Sequence, residues 1–216
     1  MPLHKVTIPL VAVLAAALAG CATKESTGHA PKPANGIVEY YQITTGAIKA
    51  VRAALDSLQR VSGYTNDVPS GVRSAFTKEV ERLEVGSLQV RARSQAILAR
   101  GDAYFENWQD NLARMEDPRV RQLASEHRPQ LESSFGRIRS ASQRARESFQ
   151  PFLSGLRKLR TALEISPNAM AAESGKELAR ITADRGRPVE QELAAIREEL
   201  KTVRAMLTPA NPASKH

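Results

Sequence analysis

Cysteine is almost missing from this chain: Cys21 is the only one in 216 residues. No internal disulfide can form, which excludes a stapled secreted scaffold. Aromatic residues are also scarce, at 5%, while the 42% hydrophobic share comes mainly from Ala, Leu and Val. That balance argues against a β-sandwich and favours helices. Histidine is equally short. His4, His29 and His216 fall near the ends, which leaves His127 alone in the body of the chain. A di-metal site in a helical bundle needs two Glu-x-x-His motifs on separate helices, and one histidine does not supply them. No Gly-x-Ser-x-Gly, P-loop or dinucleotide fingerprint occurs. No catalytic residue, metal ligand or cofactor is therefore expected, and the chain does not read as an enzyme. Past residue 20 no apolar run approaches the length of a membrane-spanning helix.

What is present begins with an address. Met1 to Lys5 is a short basic start, and Val6 to Ala19 is an apolar stretch too short to span a bilayer stably. Residues 1–20 read as a signal peptide. The stretch ends in Leu18-Ala19-Gly20-Cys21, which resembles the lipobox of bacterial lipoproteins. The thiol there is alkylated by a diacylglycerol, and small residues at Ala19 and Gly20 let the peptidase reach the bond before Cys21. The sole cysteine falls at the one required place. Lipidation of Cys21 with two or three acyl chains is expected to anchor the protein stably. Residues 21–36, rich in Thr, Ser, Gly and Pro, have the composition of a tether. Ala22, rather than Asp, follows the cysteine, which resembles outer-membrane sorting. The expected location is the bacterial cell envelope, at the outer membrane facing the periplasm.

From Ile37 the apolar residues recur at helical spacing. Ile37, Tyr41, Thr44, Ile48, Val51, Leu55 and Leu58 predict a first helix that ends near Ser62-Gly63. A second stripe, through Phe76, Val80, Leu83, Val90, Ile97, Tyr104, Trp108 and Leu112, predicts one helix over 71–116. Ser87, Ser94 and Gly101 lie along it at seven-residue spacing, where a neighbour is expected to come close. The aromatic group Tyr104, Phe105 and Trp108 reads as core more readily than as a ligand platform. Asp117-Pro118 starts a third helix, and Ser166-Pro167 repeats that pattern for a fourth. His127, Leu131, Phe135, Ile138, Phe149, Phe152 and Leu156 share the third helix's apolar face, so His127 is expected in the core or a seam. Two interior prolines, Pro151 and Pro188, leave the stripe in phase, so kinks rather than turns are expected there. The predicted fold is all-α: an elongated antiparallel coiled-coil-like helical bundle over 37–208, three long helices plus one shorter helix, with a flexible tail over 209–216.

Four segments carry a family likeness: Tyr104-Phe105-Glu106-Asn107-Trp108, Asp117-Pro118-Arg119-Val120-Arg121, the stretch from Ser148 through Phe149-Gln150-Pro151-Phe152-Leu153 to Leu156, and Thr182-Ala183-Asp184. With the lipobox, they resemble the bacterial lipoproteins grouped as domain of unknown function 2959. The resemblance implies an all-helical envelope lipoprotein and brings no catalytic residues with it.

Charge is unevenly placed. Residues 119–160 hold ten basic and three acidic side chains, while the rest of the chain after residue 20 balances at twenty against twenty. Arg121, Arg128, Arg139, Arg146 and Arg157 step by seven and eleven, which aligns them along one flank of the third helix's apolar stripe. Two readings stand. The stripe is an ion-pair seam, with Glu177, Asp184, Glu192 and Glu199 of the fourth helix as partners, or it is an external basic face. The expected function is accordingly that of a non-enzymatic envelope lipoprotein, a helical adaptor or structural spacer with an envelope protein as partner. The alternative is a binding module for anionic envelope lipid or polymer through the basic face of the third helix. Nucleic acid is not an expected partner on that side of the inner membrane, despite a pI near 9.9.

Overall fold

A computed structural model describes residues 34–207. The signal stretch, Leu18, Ala19, Gly20, Cys21, most of the tether and the tail over 209–216 lie outside the described residues. Five helices follow one another: α1 (Ala34–Ser62), α2 (Ser70–Glu106), α3 (Trp108–Ala113), α4 (Pro118–Ile165) and α5 (Glu173–Leu207). No strand occurs among the described residues. The fold is an all-α bundle with four long helices and one short one. α1 packs on α2 and α5, and α4 packs on α5 and α2, so the four long helices close a ring. The α2–α4 side is its loosest adjacent pairing.

Ion pairs between neighbours show the direction of each helix. Arg139 meets Asp102 and Arg157 meets Glu84, so moving forward along α4 moves back along α2. Arg137 with Glu199 and Arg144 with Glu192 give the same reversal between α4 and α5. Neighbours are therefore antiparallel, as short connections between long helices require. The core runs down the axis: Leu58, Leu83, Ile138, Leu156, Leu159, Leu193, Ile196 and Leu200 are all buried.

Two element boundaries and one buried face differ from the periodicity. The helix expected over 71–116 breaks at Asn107, whose side-chain amide and backbone N–H both donate to the Ala103 carbonyl, at 2.8 and 3.2 Å. The apolar stripe stays in phase across the break, which is why periodicity does not reveal it. The helix expected to start at Pro167 starts instead at Glu173. Residues 166–172 form turns, with Ala169 N–H donating to the Ser166 carbonyl and Ala171 N–H to that of Asn168. This arrangement drops Met170, fully buried, onto the end of the core. It also offers the Pro167 carbonyl to Val68 N–H at 2.8 Å, which ties the two turns at that end together. α1 buries Tyr40, Ala47, Ala54 and Val61 where the expected stripe had Tyr41 and Leu55, both only half-buried. It faces two neighbours rather than one, and alanines allow the double approach.

The helix passes without a turn through Pro151 and Pro188, and also through Pro129, a third interior proline. Of the three small residues on α2, Ser94 is buried beside Tyr40 of α1 and Gly101 lies against α4. A Cβ there would lie 2.5 Å from the Phe135 ring. At Gly186 a Cβ would come within 2.8 Å of Leu55 and 3.0 Å of Phe152, so glycine lets α5 press on both α1 and α4 beside Pro188.

Candidate functional site

The five arginines of the stripe stay on one flank of α4, but that flank faces α2, not α5. Arg157 Nε donates to Glu84 at 2.6 Å, and Arg139 pairs with Asp102. Arg128 pairs with Glu132 one turn on, at 2.9 Å, and its guanidinium carbon lies 5.3 Å from the centre of the Trp108 ring. Arg121 donates to the Met115 carbonyl at 2.6 Å and so fastens the corner before α4. Arg146 is exposed and pairs with no carboxylate among the described residues.

The seam with α5 exists, but other residues build it. Arg137 Nε donates to Glu199 at 2.6 Å and Arg144 Nε to Glu192 at 2.8 Å. Each hydrogen bond to a carboxylate raises the affinity of its guanidinium for the proton. Glu177 and Asp184, the other two expected partners, are engaged within α5 by Arg180, and Asp184 also by Arg187. The Arg180 hydrogen bonds hold the Glu177 carboxyl below its ordinary range. His127 is exposed on α4, not in the core or a seam. The aromatic group is core as expected: Tyr104 and Trp108 are buried, and Phe105 packs against them.

Where α2 and α4 part, a groove of about 470 Å³ opens. Val90, Leu98, Ala145, Phe149 and Leu153 make its floor. Ser87 and Ser94 line this opening, and Ser94, expected under a close neighbour, is buried beside Tyr40 of α1. Four arginines edge it: Arg91 from α2, and Arg139, Arg146 and Arg157 from α4. The ion pairs of Arg139 and Arg157 bracket it along the bundle. Arg91, like Arg146, is exposed and has no carboxylate partner among the described residues.

The floor is not wholly apolar. Tyr40, fully buried, reaches through from α1 and places its hydroxyl 3.3 Å from Ser142 Oγ, with Ser94 as a second polar neighbour. Burial raises the Tyr40 pKa against the lowering effect of both serines, so the phenol stays protonated and available as a donor. Leu88 stands at the rim with 60% of its surface in water, one of few large apolar side chains so exposed. The site thus combines an apolar trough, a small hydroxyl cluster and two uncompensated cations. Arg91 and Tyr40 escape sequence reasoning. Over the helix expected at 71–116 the charges balance at seven against seven, so Arg91 does not stand out, and Tyr40 sits one position off the expected stripe of α1.

Among the described residues no group of His, Cys, Asp and Glu is arranged to hold a metal ion, and no helix is long and apolar enough to cross a membrane. Comparison with known proteins gives one family: the model for a protein of unknown function, DUF2959, matches residues 39–206. No curated protein matches the chain.

Proposed function

Because this chain belongs to the DUF2959 family, we propose a function from its own build: a non-enzymatic envelope lipoprotein, held by lipid on Cys21, that works as a helical adaptor or spacer through protein contacts. The observation that carries this reading is a one-ended rod. α4 has 48 residues, about 70 Å of helix at 1.5 Å per residue. α1 begins at Ala34, close in sequence to Cys21, and Gly36 lies against Ile97 and Arg100 near the α2–α4 connection. A lipid on Cys21 therefore holds the bundle from that end. The turns after Ser62 and Ile165 become the far end, where Ile165 is 80% exposed. Ile165 is the large aliphatic side chain in water at that tip, and so the position from which a protein partner is best sought. Outer-membrane anchoring, with the body in the periplasm, is part of the same proposal and rests on Ala22 after Cys21.

Two measurements test it. Cys21→Ser should abolish acyl labelling and leave an uncleaved precursor; labelling equal to wild type removes the anchor from the proposal. A photocrosslinking residue in place of Ile165 should capture an envelope protein in intact cells. Adducts with lipid alone would count against an adaptor. The second reading, binding of anionic lipid or polymer by α4, is favoured by one observation: Arg146 on α4, with Arg91 across from it on α2, carries charge that no carboxylate among the described residues balances.

A further inference from the structure

We propose that the groove between α2 and α4 is a binding site for a single-chain anionic amphiphile, with the acyl chain along the apolar floor and a carboxylate or phosphate head held by Arg91 and Arg146. The proposal deepens the second reading above and rests on it: it assigns the anion to a defined trough rather than to the open face of α4.

Three observations fix the ligand class. The first is shape. From Ser87 to Leu98, α2 runs along the groove for about 17 Å at 1.5 Å per residue, the reach of one extended acyl chain. The volume of about 470 Å³ falls in the range of small-molecule sites and suits one chain rather than two. The second is the floor. Half-buried Leu98 and exposed Leu88 give the depression its wetted apolar surface, above Val90, Phe149 and Leu153, which are buried beneath it. An acyl chain laid there removes apolar surface from water on both sides. The third is charge. Arg139 and Arg157 already have carboxylate partners, at the groove's two ends. Arg91 and Arg146 lie between those pairs, one on each wall, and neither has such a partner among the described residues.

A guanidinium forks onto carboxylate or phosphate with two N–H donors, so two of them over an apolar trough match one anionic head. The hydroxyls of Ser94 and Ser142, backed by Tyr40, add neutral polar contacts along the floor. A polymer such as a polyphosphate would use the arginines and leave the trough empty. An apolar helix from a protein would use the trough and leave the arginines uncompensated. A one-chain anionic lipid uses both.

The test uses the full chain in non-ionic detergent and a palmitate probe carrying a photoreactive diazirine on its chain. The crosslinks, mapped by peptide mass spectrometry, are expected on residues 87–98 and 139–157. Unlabelled palmitate and lysophosphatidylglycerol are the competing arms, which separate a carboxylate head from a phosphate head; competition by either supports the site and identifies the head. Lysophosphatidylcholine, with no net charge, is expected to compete poorly. The double variant Arg91→Gln/Arg146→Gln is expected to weaken competition by the preferred anion roughly thirtyfold, the effect of two cations near an anionic group. Its helical content should be unchanged, because neither side chain holds an ion pair among the described residues. Arg185→Gln, on exposed surface elsewhere, serves as the comparison and should not alter labelling. Leu98→Trp, at a half-buried position on the groove, narrows the trough and should reduce labelling with both arginines present.

The proposal falls if the crosslinks scatter over the bundle, or if lysophosphatidylcholine competes as well as the anions. It falls as well if the double variant labels and competes as wild type does. Retention on an immobilised polyanion, measured on the same variants, separates this failure from failure of the broader reading. If the double variant loses retention but groove labelling is absent, α4 binds anions and the trough is not the site.

Discussion

Two regions of this bundle solve the problem of a core differently. In the four-helix section every layer is walled on four sides, and aliphatic side chains suffice: Leu83, Ile138, Leu156, Leu159, Ile196 and Leu200 are buried by mutual contact. Past the level where α1 begins, the described chain continues as the end of α2, the short α3, the start of α4 and the last turns of α5. There the core is aromatic. Tyr104 meets Phe105 and Trp108 edge-on, each at 5.3 Å between ring centres, and Phe105 meets Phe135 at 5.6 Å. With fewer walls, each buried side chain must cover more area, and large rings in edge-to-face contact do so. Arg128 covers the outer face of Trp108 where a further helix would otherwise lie. The chain has few aromatic residues, and four of them are spent here.

This contrast has energetic consequences. Trp108→Ala should remove the centre of the aromatic group at a cost of about 3–5 kcal/mol. The loss should be local. Hydrogen exchange should show lost protection near 104–131, with protection retained around Val51, Phe152 and Ile196. Leu156→Ala, in the four-helix section, should cost about 2–5 kcal/mol and lower protection throughout. If both variants lose protection uniformly, the two regions are one cooperative unit and the comparison breaks.

A milder cut falls at the junction. Gly101 and Phe135 touch where the two regions meet, and Gly101→Ala would put a methyl group 2.5 Å from the ring. Overpacking of this kind costs about 1–3 kcal/mol. The change should appear as a lowered thermal midpoint, and Gly101→Ala combined with Phe135→Leu should recover part of it by making room. Failure of the second change to help would place the strain elsewhere.

Alkaline titration separates the regions by a different property. Burial raises the pKa of both Tyr104 and Tyr40, and the Tyr104 hydroxyl has no hydrogen-bond partner among the described residues. A phenol whose folded pKa lies above its unfolded value of about 10 favours the folded state below that pH, and the advantage is lost as pH rises towards the folded pKa. Stability should therefore fall above about pH 10. If the aromatic region opens by itself, phenolate absorbance should appear for Tyr104 before Tyr40, each followed in a variant where the other is Phe. Simultaneous appearance would again argue for a single unit.

How much of this was legible beforehand differs between fold and site. The all-α class and the interior run through Pro151 and Pro188 follow from apolar spacing alone. The break at Asn107 does not, since Tyr104, Trp108 and Leu112 keep helical phase on both sides of it. Ser166-Pro167 carries a sound helix-start pattern, yet the chain turns there to bury Met170, a tertiary gain that local pattern does not contain. The arginine stripe shows the limit most clearly. Periodicity places Arg139, Arg146 and Arg157 on one flank of α4. Which neighbour lies along that flank depends on the sense in which the bundle turns, and one helix's spacing does not encode it. The acidic flank of α5 made α5 the natural partner; the structure gives α5 to Arg137 and Arg144 and turns the stripe toward α2. The groove follows from that turn, since the α2–α4 side is the loosest adjacent pairing.

The smallest expected effect compares one arginine from each region. Arg128 stacks on Trp108 and pairs within its own helix, while Arg157 pairs across helices with Glu84. Both side chains are partly in water, so neither pair is worth much: an exposed ion pair contributes about 0–1 kcal/mol, and an exposed cation–π contact about 0.5–1 kcal/mol. Their response to salt should differ even where their size does not. Arg157→Gln should lower the thermal midpoint slightly at low ionic strength and hardly at all in high salt, because screening already removes most of what the mutation deletes. Arg128→Gln also removes a guanidinium stem that shields Trp108 from water, a packing contribution that salt does not screen. Its effect should persist at high salt and be confined to the aromatic region by hydrogen exchange. Equal salt dependence in the two variants would mean that Arg128 acts through Glu132 alone. The aromatic region would then hold its shape by ring packing without the arginine cover.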